Sequence, residues 1–426
     1  MTGPFVVIGT GIASAECIKA VRGSGYRGGI AVVSDVSLPP FNPMLVTYFA
    51  SDRIGYDALF PYGGKLDYYK EYSVDCRFGS PVVRLDAGRK TIETADGQVM
   101  GYEKCVIATG ASPVLPGAFS GIRDDVLMLR TAGDAERFKA LLDSGAAGGK
   151  HVLVVGCSMI GIKAVEALAA AGFDITFADF AETMFPMQSH RNCSLMVQRI
   201  LEEMNVRLLF GSAAEEAVKD GDRFRVRFAG RPEAEDYDAV IVCAGVRPNI
   251  SFIDKEQIKT DKGVLVNEYM ETSAEGVYAA GDVCQAPGLN GDTQVLGLVS
   301  NARMQGRTAG QNMAGKRVKY AGTIPHNLTH FFDNDFIGIG DVNDESDVYE
   351  EADWENRRYI RLVFTGKDLT GVNLLNAPEI SGILKYHVTK SMLAAGAAQS
   401  LADESLAMNR LFGNYPRIEK VFAEKR

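Results

Sequence analysis

Short apolar runs alternate with amphipathic helical segments over roughly the first 280 residues. The runs are rich in valine and isoleucine, which is typical of strands buried on both faces of a parallel sheet. Segments between them, such as 163–171, have helical spacing. This βαβ alternation occurs twice, so we expect two doubly wound α/β units rather than one large sheet. The predicted buried strands are 5–8, 30–33, 151–155, 175–178 and 239–243.

The pattern changes after about residue 320. Segments 363–365 and 370–374 resemble the strands of a hairpin, and segments 380–395 and 404–411 have helical spacing. A chain of 426 residues is also too long for one hydrophobic core. We therefore expect a separate α+β domain in the last hundred or so residues.

The first predicted strand runs into a glycine-rich turn with the sequence VVIGTGIAS at 6–14. Gly9 permits a tight turn, Gly11 lets the backbone approach a pyrophosphate, and the following helix N-terminus favours anions. Ser14 replaces the usual third glycine by another small residue. Asp35 follows at the end of the next strand, where a carboxylate can accept from ribose hydroxyls. The alternative is an ordinary glycine turn of an α/β protein.

A second fingerprint, LVVGCSMIGIKAVEAL, occupies 153–168. Gly156, Ser158 and Gly161 stand at its three glycine positions, and Asp179 follows at the end of the next strand. An acidic residue at that place binds the adenosine ribose and repels a 2′-phosphate, so NADH is favoured over NADPH. The alternative for Asp179 is a solvated charge at a strand end.

Composition narrows the class of partner and the compartment. The formal net charge of −9 argues against nucleic acid or an anionic membrane as a partner. The seven cysteines are scattered without a CxxC pair, which indicates reduced thiols and no metal centre. We expect no signal peptide and no membrane span, because a strand begins almost at once and no apolar stretch is long enough. A soluble, cytoplasmic protein is predicted.

Further motifs follow in a fixed order and decide between the alternatives. With both fingerprints, the chain from about residue 4 to 315 resembles the FAD-dependent pyridine nucleotide oxidoreductases. This superfamily includes the disulfide reductases, the ferredoxin and rubredoxin reductases, and the flavin part of NADH-dependent nitrite reductase. The additional motifs are KCVIATGASPVLPG (104–117), VIVCAGVRPNI (240–250), GVYAAGDVCQ (276–285) and NARMQGRTAGQNMAG (301–315).

The resemblance implies a glutathione-reductase-like α/β fold with two Rossmann-like domains and a C-terminal α+β interface domain. The implied FAD-binding domain is discontinuous, 1–112 and 245–320. The NAD(H)-binding domain is 113–244, and the interface domain is 321–426.

The same resemblance assigns cofactor-binding residues. Thr109 and Gly110 would pass close to the flavin, Gly281 and Asp282 would bind its ribityl chain and phosphate, and Ala302 would face the isoalloxazine ring. The alternative for Asp282 is a turn or helix-cap residue. The full FAD set is Gly9, Gly11, Ile12, Ser14, Asp35, Thr109, Gly110, Gly281, Asp282 and Ala302. The NAD(H) set is Gly156, Ser158, Ile160, Gly161, Asp179 and Gly245.

The sequence departs from the disulfide reductases where their redox cysteines lie. The corresponding stretch, 37–53, contains no cysteine, and Pro43 or Met44 stands about where the thiol would be. Cys17 lies in the first helix and is expected to be a core residue. Because dithiol exchange needs a thiolate beside the flavin, disulfide reductase activity is disfavoured.

Lys163 is a second departure, since many relatives carry a glutamate there, close to the nicotinamide. Lys163 is a candidate catalytic residue that would favour reduced anionic flavin, or pair with Glu166 or Asp179; the alternative is a lysine on an exposed helix face. No other catalytic residue is assigned. His326 and His330 have the spacing of metal ligands on a helix but lack a nearby acidic partner at a matching spacing, so no metal is expected.

The predicted activity is hydride transfer between NADH and FAD, followed by electron transfer to or from a redox protein. The expected partner is an iron–sulfur subunit, a ferredoxin or a rubredoxin, and the chain would serve as the NADH-linked subunit of a complex such as a 2-oxoacid dehydrogenase. The C-terminal domain would mediate homodimerisation or docking. Two alternatives are a stand-alone NADH oxidase or small-molecule reductase, and a non-enzymatic flavoprotein with an interaction or signalling role.

Overall fold

A computed structural model describes residues 3–145, 149–289, 292–392 and 424 of the chain. The described residues divide into two compact units, each assembled from three segments. The first unit is made of Met1–Val114, Met128–Leu142 and Gly245–Thr323. The second unit is made of Leu115–Leu127, Asp143–Ala244 and Ile324–Arg426.

The strands and helices have the following bounds. The first nine strands are β1 (Phe5–Ile8), β2 (Ile30–Ser34), β3 (Val74–Phe78), β4 (Val82–Asp86), β5 (Thr91–Thr94), β6 (Val99–Gly101), β7 (Lys104–Ile107), β8 (Ala111–Pro113) and β9 (Leu127–Met128). They are followed by β10 (His151–Val155), β11 (Asp174–Ala178), β12 (Arg207–Leu209), β13 (Ala214–Asp220), β14 (Arg223–Phe228), β15 (Glu235–Tyr237), β16 (Ala239–Val242) and β17 (Val246–Pro248). The later strands are β18 (Val264–Leu265), β19 (Val277–Ala279), β20 (Cys284–Pro287), β21 (Thr293–Gln294), β22 (His326–Phe331), β23 (Asn334–Gly340), β24 (Val348–Asp353), β25 (Arg358–Thr365) and β26 (Asp368–Leu375). The α-helices are α1 (Ile12–Gly23), α2 (Val46–Ala50), α3 (Asp67–Glu71), α4 (Ala132–Asp143), α5 (Met159–Ala170), α6 (Arg191–Glu203), α7 (Val299–Met313) and α8 (Ser381–Met392). Short 3₁₀ turns occur at Pro43–Leu45, Tyr56–Leu59, Gly117–Ile122 and Pro378–Ile380.

The first unit is built on a parallel sheet with the strand order β19-β7-β1-β2-β3. Every residue of β1 and β2 is buried, as expected for central strands covered on both faces. Strand β1 lies between β2 and β7, and α1 follows it directly. The carboxyl ends of β1, β2 and β7 therefore meet at one edge of the sheet, where α1 begins.

The second unit repeats this plan. Strands β12, β11, β10 and β16 form a parallel sheet in that order, with the two-residue β9 at the edge beside β16, and α5 follows the central β10. Its C-terminal part is an antiparallel sheet, β22-β23-β26-β25-β24, against which α8 packs. The predicted α/β fold class with two Rossmann-like sheets is confirmed.

The five predicted buried strands agree with the structure to within one residue, whereas the predicted hairpin segments 363–365 and 370–374 are parts of the longer strands β25 and β26. His326 and His330 lie on strand β22, so the interpretation of their spacing as that of a helix is wrong. The described residues hold no cluster of three metal-ligating side chains.

The predicted helix at 404–411 lies outside the described residues. Residues 128–142, which the sequence placed in the NAD(H)-binding domain, belong to the first unit. Among the described helices, none has the length and apolar character of a membrane span.

A buried arginine holds the antiparallel sheet of the second unit together. The Arg361 side chain on β25 is only 1% exposed. Its guanidinium contacts the carboxylates of Glu345 at 2.9 Å and Glu350 at 2.8 Å, and donates to the carbonyls of Val342 and Asp344. Every side of the charge is thus paired, which is the condition under which a buried charge is tolerated.

We expect Arg361→Met to lower the free energy of unfolding of the second unit by about 2–4 kcal/mol, because the change removes the guanidinium that two carboxylates and two carbonyls contact. Urea denaturation of the full chain, followed by circular dichroism, measures this. Arg199→Ala is the matched control, since Arg199 pairs with Glu203 on an exposed helix face. It should cost about 0.5 kcal/mol or less. Equal losses for the two variants would contradict a structural role for the buried charge.

Candidate functional site

The turn after β1 requires glycine for a steric reason. Gly9 has φ of 108°, and a Cβ there would lie 2.4 Å from the carbonyl oxygen of Ala108. Gly11 is different, because a Cβ there would have nothing within 4 Å. Gly11 is the N-cap of α1, and no side chain caps this helix. The first-turn amides of α1 are therefore directed at open space, which suits a pyrophosphate.

That open space is a cavity of about 480 Å³ within the first unit. All predicted FAD residues except Ser14 line it, namely Gly9, Gly11, Ile12, Asp35, Thr109, Gly110, Gly281, Asp282 and Ala302. Ser14 is fully buried instead, and its hydroxyl has no hydrogen-bond partner among the described residues. The cavity thus brings residues from four distant sequence motifs to one place. Its glycine cradle and its polar groups fit a dinucleotide.

An arginine that the sequence analysis did not select also lines the cavity. The Arg130 guanidinium contacts the Asp282 carboxylate at 2.8 Å. Behind this pair, the buried Gln305 side chain accepts from the Gly281 amide at 2.9 Å and holds the loop in place. A cation and an anion side by side can bind phosphate oxygens and ribityl hydroxyls respectively. Arg130 lies outside every glycine motif, so no local signal marked it.

Asn249 is a second residue that the sequence analysis missed. Its side-chain amide donates to the Thr109 carbonyl at 2.9 Å, and the Thr109 hydroxyl donates to the Asn249 carbonyl at 2.9 Å. This reciprocal pair fixes the loop after β7 at the cavity wall. Gly110 follows within the same loop, so its position depends on a residue far away in the chain.

One wall of the cavity is apolar where a disulfide reductase would carry its thiols. Phe41, Pro43 and Met44 line this wall, and none of the residues that line the cavity is a cysteine. Cys17 is fully buried, with its sulfur 3.7 Å from that of Met313, which confirms it as a core residue. Burial raises the pKa of the Cys17 thiol to about 12, so it is not a thiolate at neutral pH.

The second fingerprint has the same steric requirement as the first. Gly156 has φ of 113°, and a Cβ there would lie 2.3 Å from the carbonyl oxygen of Cys243. Ser158, which replaces the middle glycine, is the N-cap of α5 and accepts from the Gly161 amide at 3.1 Å. Its hydroxyl also donates to the Cys243 carbonyl at 3.0 Å. The serine therefore ties the turn to the neighbouring strand.

The Asp179 carboxylate at the end of β11 is held in place by two backbone amides. One oxygen accepts from the Cys157 amide at 2.7 Å, and the other accepts from the Ala181 amide at 2.8 Å. Carboxylate oxygens have further lone pairs, which leaves acceptors for ribose hydroxyls. Ile160 is half-buried in the first turn of α5. Gly245, also predicted for NAD(H), belongs to the first unit, and it has φ of 94°.

Lys163 lies on α5 and is only 7% exposed, so its interpretation as an exposed helix residue was wrong. Its ammonium pairs with Glu166, one of the predicted partners, and donates to the carbonyl of His330 at 2.8 Å. This contact joins α5 to β22 within the second unit. The lysine charge is therefore compensated inside the protein, and a role at the nicotinamide stays a prediction.

The protein has two parallel sheets. In each, a glycine turn leads into a helix N-terminus and an aspartate follows the next strand, which is the arrangement of a protein that binds two dinucleotides. Residues 3–306 match the family model of the pyridine nucleotide-disulphide oxidoreductases, and the chain belongs to this family. The predicted family is thereby confirmed.

Similar proteins include subunits of NADH-linked systems. The chain is 30% identical, over 378 residues, to the epsilon subunit of the NADH-dependent phenylglyoxylate dehydrogenase of Aromatoleum evansii, covering 86% of this chain and 87% of that protein. It is 31% identical, over 322 residues, to the ferredoxin–NAD(+) reductase component of the p-cumate 2,3-dioxygenase system of Pseudomonas putida, covering 75% of this chain and 77% of that protein.

A solved structure supports the fold. The reductase in the covalent putidaredoxin reductase–putidaredoxin complex superposes with a TM-score of 0.85 at 21% identity, covering 97% of this chain and 98% of that one. With the family and the relatives, the predicted enzyme class is confirmed: the chain is an NADH-linked oxidoreductase. Its cofactors are FAD and NAD(H), as the sequence predicted.

Alanine substitutions at the two glycines of the first fingerprint should have different effects. We expect Gly9→Ala to destabilise the apoprotein by about 2 kcal/mol or more, because both its φ and the Ala108 carbonyl exclude a Cβ. Gly11→Ala should leave unfolding of the apoprotein nearly unchanged, since φ is −73° and the space is open. It should nevertheless weaken FAD binding by about tenfold or more, because its methyl group would point into the cavity.

Flavin content after dialysis and urea denaturation of the apoprotein separate the two effects. Retention of full FAD affinity by Gly11→Ala would show that the pyrophosphate lies elsewhere.

Reduction by NADH should expose no new thiol, because no cysteine lines the cavity and the Cys17 thiol is buried. We expect the same number of thiols to react with Ellman's reagent before and after anaerobic reduction, and no inhibition by arsenite. A disulfide reductase treated in the same way is the positive control. Two additional thiols after reduction would contradict a flavin-only redox centre.

Proposed function

We propose that this chain passes electrons between NADH and an iron–sulfur protein of the ferredoxin or rubredoxin type, as the NADH-linked component of a larger redox system. The observation that carries the proposal is the cysteine-free apolar wall of the cavity, formed by Phe41, Pro43 and Met44. Without a dithiol, electrons have no covalent relay within the protein. A redox protein at that wall is the natural acceptor or donor.

When bound, FAD would supply the chemistry that couples a two-electron nicotinamide donor to a one-electron iron–sulfur centre. The residues of this chain supply binding and orientation. Asp35 is proposed to accept from the adenosine ribose, and Arg130 and Asp282 to bind the phosphates and the ribityl chain. Ala302 and the apolar wall would exclude water from the ring.

The NAD(H) site is proposed at the second fingerprint. Gly156, Ser158, Ile160 and Gly161 would bind the pyrophosphate through the start of α5, and the fixed carboxylate of Asp179 would bind the adenosine ribose. A carboxylate there repels a 2′-phosphate, which favours NADH over NADPH. Lys163 is proposed to stay paired with Glu166 within α5, and so not to act as a free cation at the nicotinamide.

The domain assignment forms part of the proposal. We assign FAD to 1–112 and 245–320 and NAD(H) to 113–244, with the addition that 128–142 serves the FAD site through Arg130. Region 321–426 is proposed as the interface for a partner or a second copy. The similarity to the phenylglyoxylate dehydrogenase subunit supports a place in a complex that acts on a 2-oxoacid.

The proposal predicts that the acceptor decides the rate of flavin reoxidation. After anaerobic reduction with NADH, we expect a ferredoxin or rubredoxin from the native host to reoxidise the flavin at least about tenfold faster than air-saturated buffer. Stopped-flow absorbance of the flavin measures both rates. Chemical reduction with dithionite, in place of NADH, is the control that isolates the second half of the reaction.

Three results would count against the proposal. Rapid reoxidation by oxygen alone would indicate an NADH oxidase. Very slow turnover with every acceptor would indicate a non-enzymatic flavoprotein. Absence of a flavin spectrum from the protein purified from its native host would rule out the proposal altogether.

A further inference from the structure

An exposed aromatic residue directly follows Asp179 in the sequence. Phe180 is 79% exposed, and among the described large hydrophobic residues only Met187, at 80%, is more exposed. Single exposed apolar residues are common and need no explanation by themselves. Phe180 differs because of what fixes it and what it stands next to.

The backbone around Phe180 is held on both sides. The Asp179 amide donates to the Leu209 carbonyl at 3.1 Å, and the Ser212 amide donates to the Asp179 carbonyl at 3.1 Å. The Gly211 amide donates to the Ala181 carbonyl at 2.8 Å. The exposed ring therefore stands on a backbone anchored to the end of β12. The anchored backbone fixes the point where the ring is attached, and an aromatic side chain has only two rotatable bonds to order when a flat ligand covers it.

The neighbouring carboxylate identifies the ligand by its chemistry. Asp179 is anchored by the amides of Cys157 and Ala181 and retains acceptors for ribose hydroxyls. A nucleotide whose ribose binds there carries its base on the same sugar. Because consecutive Cα atoms are about 3.8 Å apart, the side chain that follows Asp179 is within reach of that base. Aromatic rings stack on nucleobases whatever the base edge presents.

We infer that Phe180 is the stacking platform for the adenine ring of NAD(H), and that it sets the affinity for the adenosine half of the dinucleotide. This inference rests on the proposed NAD(H) site at the second fingerprint. Phe180 is a binding residue that does not touch the nicotinamide. Its loss should therefore weaken ligands that contain adenine and leave a nicotinamide mononucleotide unaffected.

The test uses the full-length holoprotein and ADP-ribose, which contains the adenosine half and no nicotinamide. Isothermal titration should give an affinity about tenfold weaker for Phe180→Ala than for the unaltered protein. Phe180→Trp should retain the affinity to within about twofold, because indole also stacks. Met187→Ala is the matched control, since Met187 is equally exposed but lies seven positions beyond Phe180. It should leave the affinity unchanged.

A second readout separates stacking from damage to the fold. The rate of flavin reduction by reduced nicotinamide mononucleotide, which lacks adenine, should be the same for Phe180→Ala and the unaltered protein. Flavin content should also be the same. A loss in both assays would overturn the inference, because it would show a general structural defect.

Asp179→Asn separates a failure of this inference from a failure of the proposed function. Weak binding of ADP-ribose to Asp179→Asn together with unchanged binding to Phe180→Ala would overturn the stacking role and leave the NAD(H) site intact. Unchanged binding to both variants would place the adenosine elsewhere and overturn both. If Phe180→Ala binds ADP-ribose normally but loses electron transfer to the redox protein, Phe180 belongs to a protein-docking surface, and the inference is wrong.

Discussion

The close approach of the chain at the carboxyl ends of neighbouring parallel strands is the constraint on which both units depend. After β1, the Ala108 carbonyl lies where a side chain at position 9 would have to be. After β10, the Cys243 carbonyl occupies the corresponding space at position 156. Each turn can therefore be made only by glycine, and each turn directs the following helix N-terminus at the sheet edge. The proposed dinucleotide sites follow from this packing, because the same turn that avoids the carbonyl exposes amides to an anion.

The parts of each site that are local in sequence could be predicted, and the parts that depend on tertiary contacts could not. Gly9, Gly11 and Asp35 are set by one strand, one turn and the next strand, so periodicity and spacing identify them. Arg130 reaches the cavity from a segment between the two fingerprints and pairs with Asp282, 152 positions away. No spacing rule relates two such residues. For Ser14 the motif misled in the other direction. Its position in the glycine motif predicted a cofactor-binding residue, but its side chain is buried and does not line the cavity.

Residue spacing also gave a wrong prediction where a helix and a strand place the same positions on one face. His326 and His330 are four residues apart, which fits one face of a helix and equally one face of a strand. The alternation of buried and exposed residues along β22 shows that the strand is correct. The Lys163 side chain illustrates another limit. Its charge suggested exposure, yet Glu166 and the His330 carbonyl compensate it inside the second unit. Burial of a charge depends on partners, and partners come from the fold.

The departures from the disulfide reductase pattern have a common physical consequence. A thiol in the wall of the proposed FAD cavity would give a covalent intermediate and tie the enzyme to small disulfide or thiol substrates. Phe41, Pro43 and Met44 leave an apolar wall there instead, and the buried Cys17 thiol is held protonated by its surroundings. Without such a thiol, electrons leave from the flavin itself, with no covalent intermediate on a protein sulfur. An iron–sulfur protein, which accepts one electron at a time, fits the proposed role because it needs no thiol relay.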